Sequence, residues 1–307
     1  MGMLRLATRG SPLALRQTEL VAALLRQVHP GLDVEPIVVR TRGDQDAESP
    51  LDRIGGQGVF VTEVEAAVRD GRAEAAVHSA KDMTSVMAAG LVLGAVPTRG
   101  DARDGLVGCA LADLVPGALV ATGSARRRAQ LAWLRPDLVF TQLRGNMERR
   151  VAVGESDAVS AVVVAMAAME RLGWLERVAD VLDPVDVLPQ AGQGVIAVQC
   201  RADDVATQRL LTAVDHEPSQ QALRAERAVL AGLGGSCTVP VGAYARREGD
   251  ELDVVGLAAS GDGRTVIRLT RRGRDPEAVG AEVARALLDG GAAGLEGFGP
   301  ETLGDGS

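Results

Sequence analysis

The sequence predicts an α/β protein of mostly parallel sheets covered by helices, followed by a small α+β domain. Over the first two thirds, short apolar strands alternate with amphipathic helices, which is typical of parallel sheets with helical connections. After Glu217-Pro218 the pattern changes to a run of strands flanked by helices. A chain of 307 residues is also too long for one ordinary core and favours two or three domains.

The predicted elements follow from apolar runs and their periodicity. In the first part, strands are expected at residues 4–7, 34–40, 75–78, 106–109, 118–122, 138–142, 161–165 and 195–199. Helices are expected there at residues 12–28, 59–69, 125–134, 147–153 and 166–172. In the last part we expect a helix at 219–230, strands at 241–245, 252–259 and 265–270, and a helix at 277–288. Residues 41–58 read as one long loop, either a binding loop or disordered.

Composition and charge exclude several classes of protein. The formal net charge of -8 argues against nucleic acid or an anionic membrane as the main partner, because both favour basic surfaces. The sequence has no apolar run long enough to cross a membrane. Because residues 1–5 lead directly into a predicted strand, we expect no signal peptide. The three cysteines are Cys109, Cys200 and Cys237, and they lack C-x-x-C spacing. We therefore expect neither a disulfide framework nor a metal site. This cysteine usage favours a cytoplasmic protein, since the cytosol is reducing.

A repeated junction is the strongest chemical signal in the sequence. Three predicted strands end in small polar residues and arginine just before a helix, at residues 8–12, 122–128 and 143–146. In the first junction Ser11 is a natural helix N-cap and Pro12 a natural first helical residue. Each junction would direct backbone N–H groups, the positive end of a helix dipole and guanidinium groups at one sheet edge. The three together predict a pocket for a ligand with several carboxylates or phosphates, whereas any single arginine could simply pair with an acid on a solvated face.

Two further segments hold reactive side chains. Lys81 is the single lysine among 33 basic residues, and Asp82 beside it follows a predicted strand, where a carboxylate could act as general acid or base. His78 in the same segment is better explained as a structural hydrogen-bonding residue. Cys237 lies on a glycine-rich turn, which exposes a thiol for nucleophilic attack or covalent attachment, although an incidental loop cysteine is an equal alternative from spacing alone.

Taken together, these segments resemble the hydroxymethylbilane synthase (porphobilinogen deaminase) family. The matching segments occur in family order and are LATRGSPLAL (6–15), TRGD (41–44), HSAKD (78–82), TGSARR (122–127), LRGN (143–146), RLG (171–173), PQAGQG (189–194) and GSCTVP (235–240). Each is weak alone, but the ordered set, which spans residues 4–242, is highly specific.

The resemblance implies a fold and a reaction. The fold is two type II periplasmic-binding-protein-like domains with mixed sheets covered by helices, plus a small α+β domain, with boundaries at 1–97 with 195–213, 98–194 and 214–307. The reaction is the stepwise condensation of four porphobilinogen molecules with loss of ammonia, followed by hydrolytic release of linear hydroxymethylbilane. The cofactor is a dipyrromethane, made from the enzyme's own substrate and held by Cys237 through a thioether. The protein would be a monomer whose partner is this small-molecule substrate.

The resemblance also implies residue roles. The residues that would hold the cofactor are Cys237, Lys81, Asp82, Thr122, Ser124, Arg126, Arg127 and Arg150. The residues that would hold the substrate are Arg9, Ser11, Arg144, Asn146, Arg171 and Gln193. Asp82 would be the catalytic group, assisting the departure of ammonia and stabilising the cation that forms.

The sequence departs from the family pattern in the long loop. Gln57 stands where a lysine is common, so Arg53 would have to supply the positive charge of this loop. Phe60, just after it, would either stack on a pyrrole ring or pack in the core.

Two other interpretations of the whole protein stay open: a bilobal binding or effector module of the same fold, and a transferase that acts on a phosphorylated substrate.

Overall fold

The chain forms two compact units. The structure is a computed structural model that describes residues 2–45, 58–84, 86–234, 239–295 and 298. One unit consists of Met1–Gly100 with Gly194–Gln220, and the other of Asp101–Gln193 with Gln221–Ser307. Among the described helices, none has both the length and the apolar character that crossing a bilayer requires.

The first unit is built on a five-stranded mixed sheet. Its strands are β1 (Met3–Arg9), β2 (Asp33–Val39), β3 (Ala75–Ser79), β4 (Leu91–Ala95) and β10 (Ile196–Arg201). Their order in the sheet is β2-β1-β3-β10-β4. Its helices are α1 (Pro12–Val28), α2 (Arg42–Gln45), α3 (Thr62–Arg69) and α7 (Val205–Thr212). Helix α2 occupies the start of the predicted long loop, and residues 46–57 of that loop lie outside the described residues.

Both faces of this sheet are buried, which explains the continuous apolar runs of its strands. On one face Leu4 and Leu6 of β1 pack in a cluster with Val21 and Leu25 of α1. On the other face Ala7 packs in a cluster with the residues of α3. The alternation of side chains along β1 therefore places α1 and α3 on opposite faces of the sheet.

The second unit contains a second five-stranded mixed sheet. Its strands are β5 (Asp104–Gly108), β6 (Leu119–Ala121), β7 (Val139–Thr141), β8 (Ala161–Ala165) and β9 (Asp180–Leu182). Their order is β7-β6-β8-β5-β9. The helices that follow three of these strands are α4 (Ala125–Leu134), α5 (Met147–Gly154) and α6 (Met166–Leu172).

The expectation of mostly parallel sheets, drawn from the alternation of elements, is wrong for both sheets. In the first, β1 pairs in parallel with β2 and β3, but β10 is antiparallel to both β3 and β4. In the second, β6 is parallel to β7 and β8, but β5 is antiparallel to β8 and β9. The physical reason is that β10 and β5 enter their sheets from distant parts of the chain and not through a local strand–helix–strand connection. The mixed sheets that the family resemblance implies are confirmed.

The last part of the chain contains a small three-stranded antiparallel sheet. Its strands are β11 (Val241–Glu248), β12 (Glu251–Ala259) and β13 (Val266–Gly273), and its helices are α8 (Glu217–Gly232) and α9 (Pro276–Asp289). A Cβ atom on Gly256 would lie 2.4 Å from Val283 Cγ1 and 2.9 Å from Leu287 Cδ1, so only glycine lets α9 pack this closely on β12.

The three-stranded sheet is tied to the end of the preceding sheet domain. The backbone N–H of Ala243 donates to the carbonyl of Pro189 at 3.1 Å, and Arg268 donates to the carbonyls of Pro184 and Val185. These contacts place both sheets in one compact unit. The α+β character expected for the last part of the chain is confirmed, and the exact three-domain boundaries stay a prediction.

Candidate functional site

In the first unit, three parallel neighbouring strands end at the same edge of the sheet. Because β2, β1 and β3 run in parallel, the residues that follow their carboxyl ends lie along one edge. The groups at this edge are Arg9 and Ser11 after β1, Thr41 to Asp44 after β2, and Lys81 and Asp82 after β3. The structure thus brings together all the predicted site residues of this unit.

Arg9 is held in a defined orientation by two partners. Its Nη2 and Nε lie 2.5 and 3.2 Å from the carboxylate oxygens of Asp44, and its guanidinium carbon lies 4.1 Å from the centroid of the Phe60 ring. Thr41 Oγ1 donates to the same carboxylate at 2.7 Å. Burial alone would raise the pKa of Asp44, but hydrogen bonds from Arg9 and Thr41 outweigh burial and lower it. The TRGD segment therefore positions an arginine, and Phe60 stacks on that arginine.

Gly43 of the same segment is required by the position of Phe60. A Cβ atom on Gly43 would lie 2.2 Å from Cε1 of the ring, far inside van der Waals contact. The backbone of the TRGD segment thus forms a flat support for the ring, and the ring in turn supports the guanidinium of Arg9.

Ser11 and the end of β3 lie close together around the start of α1. Ser11 is the N-cap of α1, where its hydroxyl accepts the N–H of Ala14 at 3.3 Å. Gln17 on α1 donates to Ser79 Oγ at 2.9 Å. The positive end of α1 is therefore fixed beside the segment that carries Lys81 and Asp82.

Lys81 and Asp82 lie on a 3-10 turn, Ala80–Asp82, and not on an extended segment. Both side chains are half-buried. His78, on strand β3, is buried, and burial lowers its pKa to about 4. The charge of Arg9 acts in the same direction, and the Gln199 side chain opposes it. His78 is therefore a neutral structural side chain at neutral pH.

The second sheet repeats this arrangement at its own edge. Strands β7, β6 and β8 are parallel neighbours, and each is followed by a helix. Ser124 is the N-cap of α4, accepting the N–H of Arg127 at 3.4 Å, and Asn146 is the N-cap of α5, accepting the N–H of Arg149 at 3.0 Å. Thr122 is buried and its hydroxyl accepts the N–H of Ser124 at 3.2 Å. The repeated junctions found in the sequence are thus two helix N-termini at one edge here and one in the first unit.

Arg126 and Arg127 converge on a carboxylate that sequence reasoning missed, that of Asp104. Arg126 Nη2 lies 2.7 Å from Asp104 Oδ2, and Arg127 Nη2 lies 2.7 Å from Asp104 Oδ1. Gln193 Nε2 donates to Oδ1 as well, at 2.8 Å. Burial alone would raise the pKa of Asp104, but the two arginine charges and the hydrogen bonds from Arg127 and Gln193 hold it well below its usual range.

Backbone carbonyls take further donors of these side chains. Arg126 Nη1 donates to Leu188 O at 2.5 Å, Arg127 Nη1 to Val163 O at 3.1 Å, and Gln193 Nε2 to Ala102 O at 2.7 Å. Only 4% of Arg126 and 6% of Arg127 is exposed. These two arginines are therefore fixed in the interior and do not sweep through solvent.

Three other predicted arginines are partly buried at or near this edge. Within the described residues, Nη1 of Arg144 is buried and lacks a hydrogen-bond partner. Arg150 Nε donates to Gly145 O at 3.0 Å. Burial lowers the pKa of Arg171, near the end of α6, to about 10, and Glu170 opposes this shift. These three side chains add guanidinium donors to those of Arg126 and Arg127, and guanidinium groups are suited to bind carboxylates.

Some predicted residues cannot be placed. Cys237 lies outside the described residues, as do Gln57 and Arg53 of the long loop. The two other cysteines are described: Cys200 is buried, and burial raises the pKa of its thiol to about 11, while Cys109 is half-buried.

Two carboxylates that are fully buried, those of Asp104 and Glu226, were missed by the sequence reasoning. Asp104 opens a short apolar strand, and its one signal is an acid at the start of an uncharged run, residues 105–112. Glu226 of α8 is fully buried and accepts the backbone N–H groups of Gly192 at 2.6 Å and Ala245 at 2.8 Å. It falls on the apolar face of an amphipathic helix, which is the signal that could have identified it.

Comparison with known proteins agrees with the arrangement of these segments. Residues 4–209 match the family model "Porphobilinogen deaminase, dipyromethane cofactor binding domain", and residues 220–289 match "Porphobilinogen deaminase, C-terminal domain". A porphobilinogen deaminase of Roseiflexus sp. (strain RS-1) is 46% identical over 295 residues, which cover 94% of this chain and 97% of the relative. The porphobilinogen deaminase of Xanthomonas euvesicatoria pv. vesicatoria is 44% identical over 300 residues, covering 96% and 99%.

Solved structures give more distant matches. The periplasmic VFT2 domain of BvgS from Bordetella pertussis has a TM-score of 0.39 and 21% identity, covering 69% of this chain and 86% of that one. The periplasmic aliphatic sulphonate binding protein SsuA of Escherichia coli has a TM-score of 0.39 and 16% identity, covering 75% and 69%. The matched family models and the full-length relatives assign the chain: it belongs to the porphobilinogen deaminase family.

Proposed function

We propose that this protein is a hydroxymethylbilane synthase of tetrapyrrole biosynthesis. It joins four porphobilinogen molecules head to tail with loss of ammonia, and water then releases linear hydroxymethylbilane. The observation that carries this proposal is the concentration of guanidinium donors and helix N-termini that follow the parallel strands of the second sheet, in a chain of this family. Each pyrrole ring of the substrate brings an acetate and a propionate, so the growing product needs many such donors.

The residues present fit a dipyrromethane cofactor. Within the described part of the chain, Arg144 Nη1 and Arg126 Nε are buried donors that lack a hydrogen-bond partner. A buried donor without a partner is costly, and a ligand carboxylate would supply the missing acceptor. When bound, this group provides the primer to which substrate units are added. Its attachment to Cys237 through a thioether is part of the proposal.

The chain would hold the cofactor carboxylates mainly through the second unit. The proposed binding residues are Thr122, Ser124, Arg126, Arg127 and Arg150, together with Lys81 and Asp82 of the first unit. The Ser124 hydroxyl oxygen accepts the N–H of Arg127, and its O–H can at the same time donate to a ligand carboxylate. Arg126 and Arg127 are held by Asp104, which fixes the directions of their donors.

The substrate would be held by Arg9, Ser11, Arg144, Asn146 and Arg171. Arg9 is already oriented by Asp44 and Phe60, which reduces the entropy lost on binding. Asn146 uses its side-chain oxygen as a cap, so its amide N–H₂ is left to donate. Gln193, also predicted to bind substrate, donates to Asp104 and to the backbone, and its role would be to orient the arginine pair.

Asp82 would carry the chemistry. A half-buried carboxylate beside Lys81 can accept hydrogen bonds from pyrrole N–H groups and hold a proton for the departing amine. A fixed negative charge next to a developing cation lowers the barrier in the same way as an oxyanion hole does for the opposite charge. We expect this contribution to reach several orders of magnitude in rate, roughly 4 kcal/mol at ~1.4 kcal/mol per decade.

The setting of the protein is also part of the proposal. We expect a monomer in the cytoplasm, with porphobilinogen as its small-molecule partner and neither nucleic acid nor a membrane. A net charge of -8 supports the last point, since polyanions and anionic bilayers attract basic surfaces.

Intact-mass measurement of the purified full-length protein tests the proposal. A dipyrromethane adduct is expected on the wild-type chain, together with ammonia release from porphobilinogen. Cys237→Ser should abolish the adduct, whereas Cys109→Ser, which changes a half-buried thiol, should retain it. An unmodified wild-type mass and no turnover of porphobilinogen would refute the function. An adduct that persists in Cys237→Ser would refute the attachment site.

A further inference from the structure

Asp104 is the centre of a buried cluster of charge-assisted hydrogen bonds. Its two oxygens receive the guanidiniums of Arg126 and Arg127 at 2.7 Å each, and Gln193 Nε2 adds a third donor at 2.8 Å. The carboxylate is fully buried, and the two arginines are nearly so. Buried charge of this kind persists only when each partner keeps its geometry, because solvent cannot replace a lost contact.

The charges of this cluster do not cancel. Two guanidiniums face one carboxylate, which leaves one net positive charge in the interior. The described contacts of the pair are otherwise with neutral backbone carbonyls, those of Leu188 and Val163. Arg126 also keeps a buried Nε without a partner among the described residues. A single negative charge from a ligand would complete the set.

The carboxylate also fixes direction. Arg127 presents Nε and Nη2 to Asp104 Oδ1, at 3.1 and 2.7 Å, a two-point contact that fixes the plane of its guanidinium. Arg126 is fixed at both ends, between Asp104 and the carbonyl of Leu188. Neither plane can rotate unless Asp104 moves.

We propose that Asp104 is a positioning residue for anion binding: it orients the Arg126 and Arg127 guanidiniums and reduces their joint charge so that the pair receives one ligand carboxylate. This inference rests on the proposed function, in which these two arginines hold cofactor carboxylates. Asp104 itself contacts no ligand. Gln193 acts with it by fixing the carboxylate from a third direction.

The test compares three variants of the full-length protein. Asp104→Asn keeps the shape but replaces one oxygen with an N–H₂ donor, which opposes the guanidinium donors. Asp104→Glu keeps the charge and moves it by one methylene. Asp101→Asn is the matched control, because Asp101 lies in the same segment and pairs with Arg103 at a more exposed position. For each variant we would measure the adduct-bearing fraction by intact mass. We would also measure kcat and KM for porphobilinogen at a temperature well below that at which the variant unfolds.

We expect Asp101→Asn to behave as the wild type. In Asp104→Asn, the adduct-bearing fraction or kcat/KM should fall about 100-fold, the effect of displacing a binding group by ~1 Å. Asp104→Glu should regain about tenfold, so that its loading or kcat/KM is about tenfold below that of the wild type. A purely structural role would lower the unfolding temperature but leave the loading, kcat and KM of the folded fraction unchanged.

Two results would overturn the inference. One is an Asp104→Asn protein that is loaded and has kcat and KM equal to those of Asp101→Asn, whatever its unfolding temperature. If Asp104→Asn does not fold, Asp104→Glu decides: a loss of about tenfold supports the inference, and loading and kinetics within about twofold of Asp101→Asn refute it. A wild-type protein with neither adduct nor turnover refutes instead the proposed function on which the inference rests.

Discussion

Acidification should destabilise this protein through His78 before its carboxylates are protonated. The side chain is on β3, 5% exposed, close enough to Arg9 for that charge to oppose a second positive charge. Burial and Arg9 lower its pKa from 6.5 to about 4, and the Gln199 side chain offsets only part of this shift. The folded protein therefore resists a proton that the unfolded chain accepts.

The sign and size follow from proton linkage. Above pH 6.5 the imidazole is neutral in both states and contributes no pH dependence. Between pH 6.5 and about 4 the unfolded state binds more protons, so stability falls as pH falls, by roughly 3 kcal/mol over the whole window. Between pH 7 and pH 5 the same relation gives about 2 kcal/mol. Asp104 and Asp44 also have lowered pKa values. Their contribution to the free energy of unfolding is lost only as the pH falls below the ordinary aspartate pKa of 3.8.

Urea unfolding at pH 7 and pH 5 measures this effect. His78→Gln should remove most of the loss of about 2 kcal/mol, so that its unfolding free energy changes little between the two pH values. His29→Gln is the control. His29 follows the last residue of α1, contacts the backbone carbonyl of Leu210 and is only half-buried. If the wild type and His78→Gln lose the same free energy on acidification, burial of a neutral imidazole is not the cause.

Three further substitutions test other parts of the structure. Asp82→Asn should keep the adduct but lower kcat by about 1000-fold or more, the equivalent of ~4 kcal/mol, as measured by steady-state kinetics. Gly43→Ala should cost about 1–3 kcal/mol and raise KM, because its Cβ would lie 2.2 Å from Phe60 Cε1; Gly294→Ala, with open space around it, is the control for thermal unfolding. Glu226→Gln should cost about 1–3 kcal/mol, because an amide N–H₂ would face a backbone N–H, whereas Glu277→Gln at an exposed ion pair should cost less than about 1 kcal/mol by urea unfolding.

The parts of the fold that could be predicted from the sequence are those with strong local signals. Helix α1 starts at Pro12 after the Ser11 cap, as predicted, and β8 covers Ala161–Ala165 as predicted. In each case the chain gives the same answer through its cap, its periodicity and its apolar content. The sequence also predicted that the junction at residues 8–12 lies at a sheet edge, and the same rule, that the carboxyl ends of parallel strands share an edge, explains why Lys81 and Asp82 lie at that edge too.

The parts that could not be predicted depend on distant partners. Strands β4 and β9 and helix α7 were missed, because their short runs are stabilised by pairing with β10 and β5 or by packing on the first sheet. The pairing of Arg126 and Arg127 with Asp104 joins positions that are 22 and 23 residues apart. No periodicity reports such a contact, so the sequence indicated the arginines and not the acid that orients them.

The N-cap residues of helices at the two candidate edges differ from those of α7 and α9. Serine, asparagine and aspartate cap helices about equally well, and aspartate also interacts favourably with the helix dipole. Three helices at the two candidate edges, α1, α4 and α5, have neutral capping side chains: Ser11, Ser124 and Asn146. Asp204 caps α7, which follows β10 at the opposite edge of the first sheet, since β10 is antiparallel to β3. Asp275 caps α9 behind the three-stranded sheet. A carboxylate cap would repel an anionic ligand, whereas a neutral cap would not, so the caps of these helices agree with the proposed function.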